Sequence, residues 1–364
     1  MLDHDFWRGR RVLLTGHTGF KGAWLLLWLQ ELGAQVWGYA LEAEPPQNLF
    51  RQLAAERPTK AHSWHHQEGD LADLAQLNAL VGLCQPEVVL HLAAQPLVRR
   101  SYRDPLGTWA TNVHGSLHLL EALKPLDHPC AVVMVTTDKV YENREWPHGY
   151  RESDRLGGHD PYSSSKAAAE LAIGSWRHSF CGTAPHQTPH LRIATARAGN
   201  VIGGGDWAED RIMPDAISAL AAGQTIAVRR PEATRPWQHV LEPLGGYLLL
   251  AELLAREGHA HASAFNFGPN AEANRSVQEL VEEALRYWPG SWSDQSDHQA
   301  PHEAGLLQLE ISKARQKLGW QPCWDFATTV ARTVGWYRAV HEGASPLAIC
   351  LSDLEAYLTT LKAK

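Results

Sequence analysis

The 364-residue chain has no long apolar run. Its longest, "AWLLLWLQELG", is broken by Gln30 and Glu31 and closed by Gly33. That falls short of the roughly eighteen residues a membrane span requires, so it reads as a helix buried in a soluble core. No run of Lys and Arg appears, and the formal net charge is −7. Both exclude a nucleic-acid or membrane-surface protein, which needs a basic patch. Paired cysteines are missing too. Cys84, Cys130, Cys181, Cys323 and Cys350 are scattered without C-x-x-C spacing, which points to reduced thiols. The start, "MLDHDFWRGR", is acidic where a secretory signal would be basic, so a cytoplasmic location is expected. No internal repeat and no low-complexity tract is present.

The length suits two domains, and 44% hydrophobic with 20% charged residues is ordinary for a globular enzyme. The first half alternates between short Val-, Ile- and Leu-rich segments and helical ones. "RVLLTG", "AQVWGYAL", "PEVVLHLAAQ", "CAVVMVTT" and "RIATARAGNVIG" read as strands; "GAWLLLWLQELG", "TNVHGSLHLLEAL" and "PYSSSKAAAELAIGSWRHSF" read as helices. Such alternation predicts an α/β fold with a doubly wound parallel sheet covered on both faces. After residue 200 the rhythm loosens. We expect a first domain over 1–199, to which the chain returns around 236–265, and a smaller mixed C-terminal substrate domain over 200–364.

"TGHTGFKG" places Gly16, Gly19, Phe20 and Gly22 directly after the first strand and at a helix start. Glycines there allow a tight turn and close backbone approach to a pyrophosphate, which a helix N-terminus attracts. The reading is a Rossmann-type dinucleotide site. An acid usually ends the second strand and binds the adenosine ribose of NAD. Here "VWGYAL" offers Tyr39, Ala40 and Leu41, with Glu42 just beyond. Losing such a charge-assisted bond costs about 1.5–3 kcal/mol, which predicts weak, exchangeable NAD binding. No arginine stands at that strand end for a 2′-phosphate; Lys21 and Arg51 remain as alternatives.

"DPYSSSK" sets Tyr162 and Lys166 four apart on one helical face, with Asp160 as N-cap and Pro161 at the first helical position. The ammonium favours the phenolate, so Tyr162 can exchange a hydroxyl proton. "VVMVTTDKVYENREW" delivers Thr137, Asp138 and Lys139 to a strand end.

The GxxGxxG spacing, the Tyr-x-x-x-Lys pair and Thr137 together resemble the extended branch of the short-chain dehydrogenase/reductase superfamily. That resemblance implies Asp70 and Leu71 of "EGDLAD" at the adenine, and Ala93 and Ala94 of "HLAA" beneath the cofactor. It implies Thr137, Tyr162 and Lys166 as the set that oxidises a secondary alcohol. The branch includes nucleotide-sugar 4,6-dehydratases, in which an acidic or basic pair follows the threonine. There C4 is oxidised, water is lost across C5 and C6, and hydride returns at C6. Asp138 fits the acid. Lys139 stands where thymidine-nucleotide relatives carry a glutamate base. It either removes the C5 proton with a lowered pKa or stabilises the enolate as a cation.

"HTGFKG", "TTDKVY", "GGGDWAEDR" and "RPWQHVLEPLGGY" further resemble the CDP-glucose branch of these dehydratases, over nearly the whole chain. The resemblance implies NAD as cofactor and CDP-glucose as substrate, contacted by Gln95, Asn200, Arg211, Arg235 and Asn266. It also implies a homodimer or dimer of dimers packed on the "TNVHGSLHLLEAL" and Tyr162 helices. His62, His65, His66, His298 and His302 lack the second cluster of a zinc site and read as solvated loop residues, so no metal is expected.

Overall fold

The computed structural model describes residues 2–44, 47–57, 64–182, 184, 187–296 and 305–363. Seven parallel strands form the main sheet: β1 (Arg11–Thr15), β2 (Gln35–Ala40), β3 (Trp64–Glu68), β4 (Val88–His91), β5 (Cys130–Val135), β6 (Leu191–Ala198) and β7 (Ala264–Phe267). Their spatial order is β7-β6-β5-β4-β1-β2-β3. The chain reverses its winding between β1 and β4, where Thr15 pairs with His91. At that crevice, outside the carboxyl ends of the strands, such sheets bind ligands.

Alternate residues of each strand enter different cores. Val12, Leu14, Val88, Leu90 and Val133 face a core with Trp24, Leu25 and Trp28 of helix Phe20–Glu31 and Leu244 and Leu248 of helix Leu241–Glu257. Leu13, Val89, Val132 and Met134 face Leu77, Leu119 and Ile173 of helices Leu74–Cys84, Gly115–Leu123 and Pro161–Phe180. β5 is buried along its whole length, and each such side chain contributes about 1.5–3 kcal/mol of transfer free energy. This double coverage makes the strands read as unbroken apolar runs.

Two segments depart from the sequence reading. His65 and His66 lie on β3, the edge strand, and not in a loop. One face of β3 is largely exposed, so it lacks the apolar signature of its neighbours. Imidazole and indole stack between His65 and Trp37, 4.9 Å between centroids. His62, His298 and His302 lie outside the described residues. The expected helix over 111–123 opens as a π-helical stretch, Ala110–His114, before continuing as the α-helix Gly115–Leu123.

Beyond residue 200 the chain forms three two-stranded sheets. Thr234–Pro236 pairs antiparallel with Asn274–Ser276, while Ile226–Val228 runs parallel to Trp292–Asp294. Helix Val277–Tyr287 starts from a Ser276–Glu279 capping box and packs Val281 on Ile226 and Val228. The C-terminal helix Pro346–Lys362 returns to the first sheet's helices: Tyr357 meets the Trp28 ring edge-on, and the Ser345 hydroxyl bonds Glu56.

Candidate active site

A cleft of about 1560 Å³ runs along the strand ends from the β1 turn to the segments beyond residue 200. At one end, Gly16 takes φ +77°, a left-handed conformation that favours glycine. A Cβ there would lie 2.6 Å from the Ala93 amide, and one on Gly22 would lie 2.0 Å from the Gly16 carbonyl. The turn and the "HLAA" segment therefore close together only around glycine. Gly19 caps helix Phe20–Glu31 without a side-chain hydrogen bond, so no side chain competes for that helix N-terminus. Beneath, buried His91 shares hydrogen bonds with Thr15 (2.7 Å) and Ser116 (3.2 Å), and burial pulls it down to about 3.

The end of β2 carries no acid. The buried Tyr39 hydroxyl donates to the Asp70 carbonyl and to Gln76, while Ala40 and the exposed Leu41 line the cleft. Glu42 pairs with Arg51 at 2.8 Å, and Arg51 also donates to the Ala43 carbonyl, so each charge is engaged by the other. Lys21 points elsewhere. Its ammonium neighbours Asp138, Lys166 and Arg211, and burial followed by the Arg211 charge lowers it to about 8. Asp70, Leu71, Ala93, Ala94 and Phe20 line the same end of the cleft.

Midway lies the reacting centre. Asp160 caps helix Pro161–Phe180 in a reciprocal box with Ser163, with Pro161 at the first helical position, as the sequence led us to expect. The cap sets Tyr162 and Lys166 toward the end of β5, where the Lys166 ammonium lies 3.4 Å from the Val135 carbonyl. Burial lowers Lys166 to about 8, opposed by the Glu170 charge. Burial also pushes Tyr162 up to about 12, against a hydrogen bond shared with Thr137, so desolvation outweighs the expected pull toward phenolate.

Past β5, Asp138 to Val140 form a single 3-10 turn capped by Thr137. The Thr137 hydroxyl donates to Asp138 Oδ1 at 3.1 Å, whereas Oδ2 is buried without a hydrogen-bond partner. Burial raises Asp138 above the ordinary carboxylate range, against Lys139, Thr137, Arg235 and Lys21. A carboxyl whose burial favours the protonated form suits proton donation. Lys139 lines the cleft from the same turn.

The expected substrate contacts divide. Asn200, Arg211 and Arg235 line the cleft. Arg211 pairs with Asp206 at 2.7 Å, and Arg235 donates to the Thr234 carbonyl at 2.8 Å. Gln95 is at the wall, but its amide turns back into the protein: Oε1 accepts from the Leu97 amide (2.7 Å), and Nε2 donates to Leu97 and Thr108. Asn266 does not reach the cleft. Fully buried on β7, it accepts from the Tyr141 hydroxyl and donates to the Tyr150 and Glu310 carbonyls. Both amides are satisfied within the fold; burial takes Asn266 away from the contact that the resemblance implied, whereas the partly buried Gln95 stays at the cleft wall.

Four residues of the site escaped the sequence reading in these roles: Lys21, Asn112, Glu170 and Arg197. Asn112 sits on the π-helical stretch and bonds Gln95 and Ser165. Glu170 and Arg197 form a buried ion pair at 2.7 Å. Glu170 is four residues past Lys166, the one signal that could have found it. Among the described residues no group of three or more His, Cys, Asp or Glu is placed to hold a metal ion.

A parallel sheet with this glycine turn and a buried Tyr-Lys pair beside a strand-end threonine defines a member of the short-chain dehydrogenase/reductase superfamily. Within it, the chain belongs to the GDP-mannose 4,6 dehydratase family, whose profile matches residues 13–333. It is 44% identical over 362 residues to the CDP-glucose 4,6-dehydratase of Salmonella typhimurium, covering 99% of each chain. The dTDP-glucose 4,6-dehydratase of Streptomyces venezuelae, solved with NAD bound, superposes with a TM-score of 0.75 at 25% identity, covering 93% of this chain and 99% of that one. The UDP-glucose 4-epimerase of Thermotoga maritima shares the fold: TM-score 0.74, 20% identity, 90% and 99% coverage.

Proposed function

We propose that this protein dehydrates CDP-glucose to CDP-4-keto-6-deoxyglucose with NAD. Similarity at 44% identity over 99% of both chains to a CDP-glucose 4,6-dehydratase supports the substrate. The observation that carries the reaction is the buried, partnerless Oδ2 of Asp138, in one cleft with Thr137, Tyr162 and Lys166. The glycine cradle at Gly16 and Gly22 fits the dinucleotide, which Phe20, Asp70, Leu71, Ala93, Ala94, Tyr162 and Lys166 would hold. When bound, NAD accepts hydride from C4 of the sugar and gives it back at C6.

Tyr162, beside Thr137, takes the C4 hydroxyl proton as the phenolate and becomes the neutral phenol, and the nearby Lys166 charge favours the phenolate before the transfer. The new ketone acidifies the C5 hydrogen. Asp138 protonates the departing C6 hydroxyl, which leaves as water. Lys139, on the same turn, serves the C5 side, as base or as the cation beside the enolate. Arg211, Arg235 and Asn200 meet the nucleotide's pyrophosphate from the smaller domain, for which guanidinium forks are suited. A 4-epimerase, which returns hydride to C4, has no use for an acid beside the threonine.

Exposed apolar side chains on two adjoining helices support a homo-oligomer: Leu106 (82% exposed) and Trp109 on Pro105–Trp109, and Leu171 (64%) on Pro161–Phe180. Five free thiols, and no helix among the described residues long and apolar enough to cross a membrane, support a cytoplasmic setting. Incubation with NAD and, separately, CDP-, dTDP-, UDP- and GDP-linked hexoses, read by mass spectrometry, tests the proposal. Loss of one water from the CDP sugar alone supports it; an isomer of unchanged mass would point to an epimerase.

A further inference from the structure

A buried polar network adjoins the reacting centre, and two of its members, Thr136 and Tyr141, line the cleft. Its hub is Glu170, on the helix of Tyr162 and Lys166. Glu170 Oε1 accepts from the Thr136 hydroxyl at 2.6 Å; Oε2 accepts from the Thr195 hydroxyl at 2.8 Å and from Arg197 at 2.7 Å. Arg197 also donates to the Tyr141 hydroxyl at 2.8 Å, and Tyr141 donates to Asn266 at 2.7 Å. Asn266 is held in turn by the Glu152 carboxylate, which accepts from its amide, and by two carbonyls.

The placement matters more than the bonds. Thr136 and Tyr141 bracket the four residues Thr137, Asp138, Lys139 and Val140. Glu170 grips Thr136 directly and Tyr141 through Arg197. The same carboxylate stands one helical turn from Lys166, on the same face. One buried anion thus joins the helix that carries Tyr162 and Lys166 to both ends of the segment that carries the acid.

We infer that Glu170 is a positioning residue for the dehydration, holding the Thr137–Lys139 turn in register with Tyr162 and Lys166. Arg197, Tyr141 and Asn266 extend that hold. This rests on the dehydratase reading above. Burial raises Glu170, yet Arg197 and the two threonine hydroxyls outweigh it and keep the carboxylate ionised. Glu170 in turn supports the charge on Lys166 against desolvation. Other ionisable groups around Lys166 are Tyr162 on its own helix, Lys21 on helix Phe20–Glu31, His91 on β4 and, beside Lys21, Asp138 past β5. The charge that opposes loss of the lysine proton is that of Glu170.

The test uses the full chain with NAD and CDP-glucose. Glu170→Gln should lower kcat on the order of a hundredfold, as a misplaced reacting group does, with KM for the sugar nucleotide within about threefold. The alkaline limb of its kcat profile should move to lower pH, since Lys166 loses the charge that holds its proton. Because that change leaves Arg197 buried beside a neutral amide and can prevent folding, Thr136→Val is the second variant. It keeps the ion pair and removes one hydrogen bond to the carboxylate, and should lower kcat about tenfold without moving the alkaline limb. Wild-type kcat in Thr136→Val, or an unmoved alkaline limb in a folded Glu170→Gln, overturns the inference. Failure of the wild-type protein itself to release water from CDP-glucose sinks the dehydratase reading instead.

Discussion

Asp138 Oδ2 lies 2.8 Å from where a Cβ on Gly199 would stand. The acid at the end of β5 thus fits only because β6 is followed by a residue with no side chain. The backbone of Gly199 is not left-handed, so alanine is conformationally allowed there and the consequence is steric. Gly199→Ala should displace the carboxyl and lower kcat on the order of a hundredfold, with the protein still folded. Steady-state kinetics beside a thermal melt would check it; wild-type turnover would mean the carboxyl has room to move.

Asp138→Asn separates the two halves of the reaction. C4 oxidation should survive and water loss should slow, so a 4-keto sugar that still carries its C6 hydroxyl should accumulate, detectable by trapping and mass spectrometry. Equal loss of both steps would make Asp138 structural.

Lys139→Glu distinguishes the two roles open to that residue. A carboxylate can remove a C5 proton but cannot stabilise an enolate, so retained turnover identifies a base and lost turnover a stabilising cation. Lys139→Ala with full activity would remove the residue from the chemistry altogether.

The end of β2 sets cofactor affinity. Tyr39 is tied to Asp70 and Gln76, and Glu42 is ion-paired with Arg51, so the strand end presents no carboxylate free of an ion pair. Ala40→Asp should tighten NAD about tenfold, the equivalent of one charge-assisted hydrogen bond. Titration with NAD and NADP in parallel would show it, and an unchanged Kd would place the weakness elsewhere.

Three buried histidines govern stability in acid. His17, His91 and His239 are each pulled by burial from 6.5 to about 3. Between those values the unfolded chain binds protons that the folded one refuses. Stability therefore falls as pH drops below about 6.5, by about 1.4 kcal/mol per pH unit for each histidine. Asp353, pushed up to about 6, opposes this between 3.8 and 6, because there the folded state holds the extra proton. Denaturant melts at stepped pH should show the net fall; a flat profile from pH 6.5 to 5 would contradict it.

Much of this was legible in the chain because its signals are local. The glycine turn, the Asp160 cap and the Tyr162–Lys166 spacing each lie within one element, and the buried strands announce themselves as apolar runs. β3 did not, because an edge strand with solvent on one face carries His65, His66 and Glu68 where its neighbours carry valine. Asn266 was misplaced for another reason: whether a polar side chain faces a cleft or the interior depends on partners far away in sequence. Asn266 bonds Tyr141, 125 residues distant, and Arg197 meets Glu170 from another strand. Such pairings arise only when the sheet is assembled.

The most direct measurement follows one hydrogen. CDP-glucose carrying deuterium at C4 is incubated with the protein and NAD, and the product is examined by NMR and mass spectrometry. The account requires deuterium at C6 of a 4-keto-6-deoxy sugar, moved within one molecule. Deuterium retained at C4, or lost to solvent, would contradict it.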